Sequence, residues 1–178
     1  MVCFWEYPNL IGIILIMCVQ MSLIVDVANH RGQHGEDVIK ELALVGDRNG
    51  SYSIQSYTFK PPYPSWTLTS NTRQTNRYST RYLHGIEWSE GELPYHRSYE
   101  IVKEVFQKHT FVYTKGEEKA RFLTNMSGIL VEDLGGMGCP KADDLQLTYP
   151  LVCGFGHKKH CALTKAVKYM NWLQNTFE

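Results

Sequence analysis

Residues 22–59 read SLIVDVANHRGQHGEDVIKELALVGDRNGSYSIQSYTF, and this stretch decides the fold class. It contains three runs rich in β-branched and apolar residues, at 23–27, 39–45 and 52–59, and such runs predict strands. The polar segment 29–37 predicts a turn between the first two. Asn49-Gly50, between the second and third, is a strong hairpin signal. Three strands joined by short turns predict an antiparallel meander.

Beyond residue 59, helices and strands are predicted to alternate. Pro61, Pro62 and Pro64 cannot continue a central strand. Apolar periodicity predicts helices over 99–108, 117–126 and 162–174, and strands over 110–113 and 129–131. The order βββαβαβα predicts an α/β fold, a mixed sheet with helices packed on it.

The bulk composition is that of one globular domain, with 43% apolar and 20% charged residues among 178. Basic and acidic residues balance at 18 each, so there is no global basic field and any nucleic-acid surface must be a local patch.

The domain is expected over 22–176, after an apolar leader at 1–21. The run LIGIILIMCV at 10–19 is too short for a membrane span of ~20 residues, so no stable span is expected. No Lys or Arg precedes it, and Met21 directly precedes the first strand. An internal start and a signal peptide both stay open. The protein is expected in the cytoplasm or nucleus, or outside the cell if the signal peptide is real.

The Cys153-x3-His157-x3-Cys161 motif offers three zinc ligands within nine residues. An odd total of five cysteines fits a metal site better than a disulfide framework. A fourth ligand must come from elsewhere, and both Cys139 and Glu41 are candidates. Buried cysteines without a metal are the alternative.

The acidic residues are a sparse set for catalysis. Two-metal phosphoryl transfer needs several converging carboxylates, and Asp26 lies in the middle of the first predicted strand. Ala28 stands two residues on, where a second inward carboxylate is expected. His160, just before the last helix, is a candidate general base. Asp26 and His160 are therefore the candidate catalytic residues, with magnesium or manganese required only if the protein is an active nuclease.

Arg73, Arg77 and Arg81 recur at spacing four in a polar segment, so on a helix they would share one face. With Tyr78 and Tyr82 alongside, the face could contact phosphates and stack on bases. The alternative is a solvated helix face.

Three elements together resemble the DEDDh exonucleases of the ribonuclease H-like superfamily: Asp26 on strand one, Glu41 on strand two, and His160-x-Ala162-x-x-Lys165 at the last helix. The resemblance implies a ribonuclease H-like mixed sheet. Ala28 and Lys165 replace two of that family's carboxylates, which argues against ordinary exonuclease catalysis.

The cysteine motif is similar to the Maelstrom domain of the germline small-RNA pathway, which has the same fold without the exonuclease carboxylates. That resemblance implies a zinc site of Glu41, Cys153, His157 and Cys161. Over residues 22–174 the chain also resembles uncharacterised invertebrate proteins, some associated with transposable elements, through segments 57–62, 84–86 and 115–119.

These observations favour a zinc-stabilised, degenerate exonuclease-fold domain that binds single-stranded nucleic acid, RNA in the first place, with weak or no nuclease activity. Two alternatives stay open. One is a catalytically inactive module with protein partners. The other is an active two-metal 3′–5′ exonuclease with a rearranged acidic site of Asp26, Glu41, Glu132 or Asp133, and His160.

Overall fold

The computed structural model describes residues 22–48, 51–147 and 161–177. Its five-stranded mixed sheet has the order β3-β2-β1-β4-β5. The strands are β1 (Ser22–Arg31), β2 (Asp37–Arg48), β3 (Ser51–Thr58), β4 (Phe111–Thr114) and β5 (Glu132–Asp133). The helices of the described ranges are α1 (Ser70–Ser79), α2 (Arg97–Phe106), α3 (Glu117–Ser127) and α4 (Ala162–Phe177).

The sheet confirms the predicted meander and the α/β class. β2 pairs antiparallel with both β1 and β3, whereas β4 runs parallel to β1 and β5 parallel to β4. Residues 49 and 50, where the hairpin signal lies, are outside the described residues. None of the helices in the described ranges combines the length and apolarity of a membrane-spanning helix.

Two strand boundaries were predicted wrongly. β1 continues past a bulge at Ala28/Asn29 and pairs with β2 as far as Arg31, so the turn occupies only residues 32–36. The residues at 29–31 are polar, so they do not continue the apolar pattern that predicts a strand. The strand predicted over 129–131 is in fact Glu132–Asp133, which is short and follows the apolar residues.

The two faces of the sheet bury different helices. On one face, Val25 and Val27 share a core cluster with residues of α2 and α3. On the other face, Ile24 and Ala28 cluster with residues of α4. Because side chains alternate along a strand, Asp26 belongs to the α4 face. Ala28 pairs with Glu41 across the β1–β2 ladder, so Glu41 belongs there as well.

The segment after β3 is held close to the sheet by a buried lysine. Lys40 Nζ donates to the carbonyl oxygens of Phe59, Trp88 and Glu90 at 2.7, 2.8 and 2.6 Å. Burial lowers the pKa of Lys40 to about 8, so the side chain is still an ammonium at neutral pH. Gly91 has φ +136°, and a Cβ there would lie 2.1 Å from the Phe59 carbonyl carbon. Only glycine allows this close approach.

Candidate functional site

Glu41 and Cys161, 120 residues apart in sequence, are in contact beneath the start of α4. Cys161 Sγ lies 3.3 Å from Glu41 Oε1. The other carboxylate oxygen, Oε2, accepts a hydrogen bond of 3.0 Å from the Ala162 backbone N–H, and the Ser56 hydroxyl donates to Oε1 at 3.3 Å. Glu41 and Cys161 are both buried. The carboxylate therefore holds the first turn of α4 against β2.

The Cys161 thiol donates a hydrogen bond to the Glu41 carboxylate, and the separation of the two atoms is also near the ligand spacing of a zinc ion. A tetrahedral zinc with Zn–S of ~2.3 Å and Zn–O of ~2.0 Å separates its sulfur and oxygen ligands by about 3.5 Å. The observed separation of 3.3 Å is close to that value. Cys153, His157 and the candidate base His160 lie outside the described residues. Within the ranges that are described, no three Cys, His, Asp or Glu side chains converge as a metal site.

Cys139, the other candidate fourth ligand, is buried in the same core cluster as Cys161. Its thiol lies 3.5 Å from the Pro140 carbonyl oxygen. Burial raises the pKa of the Cys139 thiol to about 11. Because zinc binds the thiolate, this environment suits Cys139 less well than Glu41 as a ligand.

Asp26, the candidate catalytic carboxylate, is fully buried and is paired with two lysines. Lys119 of α3 donates to Oδ1. Lys165 of α4 places Nζ 3.9 Å from Oδ2, an atom with no hydrogen bond among the described residues. Burial lowers the pKa of Lys165, and the Asp26 carboxylate opposes that shift. Two cations thus occupy the surroundings of the carboxylate where a two-metal site would need further anions.

The acidic pair at β5 has a structural role in the described residues. Asp133 Oδ1 accepts hydrogen bonds from the backbone N–H groups of Gly116 and Gly135, at 2.7 and 2.8 Å. Glu132 is exposed. The Asp133 carboxylate therefore ties the turn before α3 to the turn after β5.

Two of the three arginines predicted to share a helix face lie in an α-helix, and the third lies in the turn that follows it. Arg73 and Arg77 lie on α1 and both line one cavity. Arg81 falls in the π-helical turn Thr80–His84 that follows, where its guanidinium carbon is 5.4 Å from the centre of the Tyr82 ring. The π-helical turn departs from the α-helical geometry on which the spacing of four is based, so Arg81 lies beyond the α-helix itself.

Three exposed aromatic side chains accompany these arginines. Tyr78 and Tyr82 are 59% and 53% exposed, and their ring centres are 4.9 Å apart. Trp66 is 78% exposed on the segment just before α1. Exposed aromatic rings next to guanidinium groups can stack on nucleobases. We call Arg73, Arg77, Tyr78, Arg81 and Tyr82 the α1 surface.

Sequence reasoning missed two features near these sites. Lys119 was not expected to pair with Asp26, since 93 residues separate them and nothing local links the two. His30 and His84 were not expected to meet, yet their rings are 4.8 Å apart and nearly perpendicular. Burial, with His30 adding to it, lowers the pKa of His84 to about 3, so both rings form a neutral pair at pH 7.

No protein-family model matches the chain, and none of the curated proteins is similar to it at a significant level.

Proposed function

We propose that the protein is a zinc-stabilised domain of degenerate exonuclease fold that binds single-stranded nucleic acid, in the first place RNA, and has little or no metal-dependent nuclease activity. The observation that carries the proposal is the α1 surface, where arginines and exposed tyrosines are interleaved. The sheet order, with β1 antiparallel to β2 and parallel to β4, supports a ribonuclease H-like assignment.

Binding to single strands is supported by the availability of the Arg77 side chain and by the exposure of Tyr78 and Tyr82. Arg77 is exposed and makes no ion pair within the described residues. A protein of balanced net charge gains phosphate contacts only from such a local cluster. Tyrosine rings offer ~1–3 kcal/mol per stacked base with little sequence preference. Unpaired bases are accessible in single strands, so these are the preferred ligand.

Loss of two-metal catalysis is supported by the surroundings of Asp26. Lys119 and Lys165 already balance its charge, and Ala28 contributes no carboxylate. A divalent cation entering there would be repelled by both lysines. Two unit charges of like sign ~4 Å apart repel each other by roughly 4 kcal/mol at an effective dielectric of ~20, and a divalent ion experiences more. The surroundings of Asp26 therefore disfavour magnesium and manganese.

A structural zinc is supported by the contact between Glu41 and Cys161. Together with Cys153 and His157 they would make a four-ligand set of the kind found in closed structural sites. Bound there, zinc would link β2 to the start of α4 and add its binding energy to the stability of the domain.

Fluorescence anisotropy with labelled single-stranded RNA and DNA, in the presence of EDTA, tests the binding. An Arg77→Glu variant should bind at least about tenfold more weakly, and the slope of log affinity against log salt should fall by about 0.7 or more. Arg121→Glu, at an exposed position of α3, is the matched control and should bind like the wild type. Equal binding by Arg77→Glu and wild type would reject the α1 surface.

Metal analysis and a cleavage assay test the remaining two parts. Purified protein should contain one zinc per chain, and Glu41→Gln and Cys161→Ser should both lose it. A folded protein without zinc would refute the metal site. Magnesium or manganese should not accelerate cleavage of the labelled strand above the rate in EDTA. Cleavage that depends on these ions and disappears in Asp26→Asn would establish the active-nuclease alternative instead.

A further inference from the structure

A recess of about 180 Å³ opens beside α1 at the carboxyl end of β1. Its wall on the helix side carries Arg73, Asn76 and Arg77, and Trp88 with Leu68 supplies apolar surface. This volume is well below the ~300 Å³ at which pockets begin to hold drug-sized ligands. It is several times the ~30 Å³ of one water molecule, so it suits a single chemical group of a larger ligand.

The charges in the recess favour an anion. Arg73 Nη1 donates to the Leu68 carbonyl oxygen at 2.7 Å, which fixes the guanidinium while leaving other N–H donors available. Arg77 lies one turn further along the same helix face. Glu87 is the only carboxylate among the lining residues, and it is exposed. Arginine forks match the geometry of phosphate oxygens, and two of them match a doubly charged phosphate.

The wall is held rigidly by the end of β1. Asn76 is buried, its Oδ1 accepts from the Arg31 backbone N–H at 2.8 Å, and its Nδ2 donates to the Arg31 carbonyl at 2.9 Å. These two bonds fix the position of α1 relative to β1. The arginines therefore project from a helix whose position is set before any ligand binds.

A buried histidine is among the residues that line the same recess. His30 is 1% exposed, and its Nε2 lies 3.0 Å from the Ile86 carbonyl oxygen. A carbonyl only accepts, so Nε2 carries the hydrogen and Nδ1 is an acceptor. Nδ1 is enclosed by protein atoms, and the neighbouring Asn76 side chain is one of the groups that raise the pKa of the ring against the larger effect of burial. His30 therefore supplies a neutral, rigid part of the wall and not a hydrogen bond to a ligand.

We propose that this recess binds the terminal phosphomonoester of a single-stranded nucleic acid, with the guanidinium groups of Arg73 and Arg77 on the phosphate oxygens. A terminal phosphate carries close to two charges and has three free oxygens, whereas an internal phosphodiester carries one charge and is flanked by sugars on both sides, so the terminal group suits two arginines better. This inference rests on the proposed function, because the rest of the strand would lie along the α1 surface.

Affinities for matched oligonucleotides with a 5′-phosphate, a 3′-phosphate or only hydroxyl ends test the proposal. One phosphorylated strand should bind at least about tenfold more tightly than the hydroxyl-ended strand, since two charge-assisted contacts are gained. The two arms tell a 5′ end from a 3′ end. Arg73→Lys, which keeps the charge and loses the fork, should remove most of this preference, and so should Ser89→Glu at the exposed rim. Arg121→Glu should retain it.

Equal affinity for phosphorylated and hydroxyl-ended strands would overturn the recess and leave the proposed function intact. Calorimetry with nucleoside 5′- and 3′-monophosphates, and with the nucleosides alone, tests the opposite case, in which the recess binds phosphate but the protein does not bind nucleic acid. If a monophosphate binds but no oligonucleotide does, the recess stands and the proposed function falls. If the nucleoside binds as tightly as its monophosphate, the recess holds a base and the phosphate proposal is wrong. If none of these ligands binds, both proposals are rejected.

Discussion

Replacement of Lys119 by Met removes the cation that bonds to the buried Asp26 carboxylate. Removing one partner of a buried ion pair typically costs ~3–5 kcal/mol, because the other charge stays buried without compensation. Two observations reduce that figure here. The Lys119 side chain is 29% exposed, and Lys165 remains 3.9 Å from the carboxylate. We expect Lys119→Met to lower the free energy of unfolding by roughly 2–4 kcal/mol.

The double variant Asp26→Asn/Lys119→Met separates charge from packing. Asparagine removes the buried charge, so the double variant should be less destabilised than the sum of the two single variants by at least about 1 kcal/mol. Urea unfolding followed by circular dichroism gives all four values of the cycle. Lys108→Met, which breaks an exposed pair with Glu104, is the matched control and should stay within ~0.5 kcal/mol of wild type.

Two outcomes would refute this reasoning. If Lys119→Met were as stable as the Lys108→Met control, the Asp26 carboxylate would not depend on Lys119 for charge balance. If the effects of the two mutations simply added, the side chains would not interact. In either case the inference that the two lysines balance the Asp26 charge and disfavour divalent cations there would be wrong.

Further predictions concern pH, backbone geometry and the metal ligands. Burial lowers the pKa of His84 to about 3, whereas the unfolded chain titrates near ~6.5, so between these values only the unfolded state takes up the proton. The free energy of unfolding should therefore fall as the pH drops below ~6.5, by up to ~1.4 kcal/mol per pH unit. In urea titrations at pH 6.5 and 4.5, His84→Asn should show a smaller fall than wild type. Gly91→Ala should lower the thermal midpoint well beyond Gly128→Ala, because both have positive φ but only at Gly91 would a Cβ meet backbone atoms. An equal shift in the two variants would contradict the close approach. Chelation of zinc should lower the midpoint of wild type and leave that of Glu41→Gln unchanged, and a shift of equal size in both would remove Glu41 from the ligand set.

The sheet was predictable from sequence where local pattern decides structure. Apolar runs around Val25 and Leu44 predict β1 and β2. A strand that is covered on both faces of the sheet needs apolar residues at nearly every position. The polar end of β1 at Asn29 was missed for the same reason. Residues 29–31 are in a strand because they pair with β2, and the local sequence does not predict which strand a segment pairs with.

The candidate site was predictable only where its residues are close in sequence. Arg73 and Arg77 share a face because helical periodicity places residues four apart together. The Asp26–Lys119 pair forms because α3 packs on the sheet. The two residues are 93 positions apart, and no local sequence pattern predicts such a long-range contact. Glu41 and Cys139 remained equal candidates from ligand chemistry alone, and the contact with Cys161 now favours Glu41.

The most direct test of the central claim is ultraviolet cross-linking of single-stranded RNA to the purified protein, with the attached peptides identified by mass spectrometry. We predict cross-links concentrated in residues 73–82, above all at Tyr78 and Tyr82, and their loss in Arg77→Glu. Cross-links confined to other surfaces, or none at RNA concentrations that saturate binding, would contradict the account.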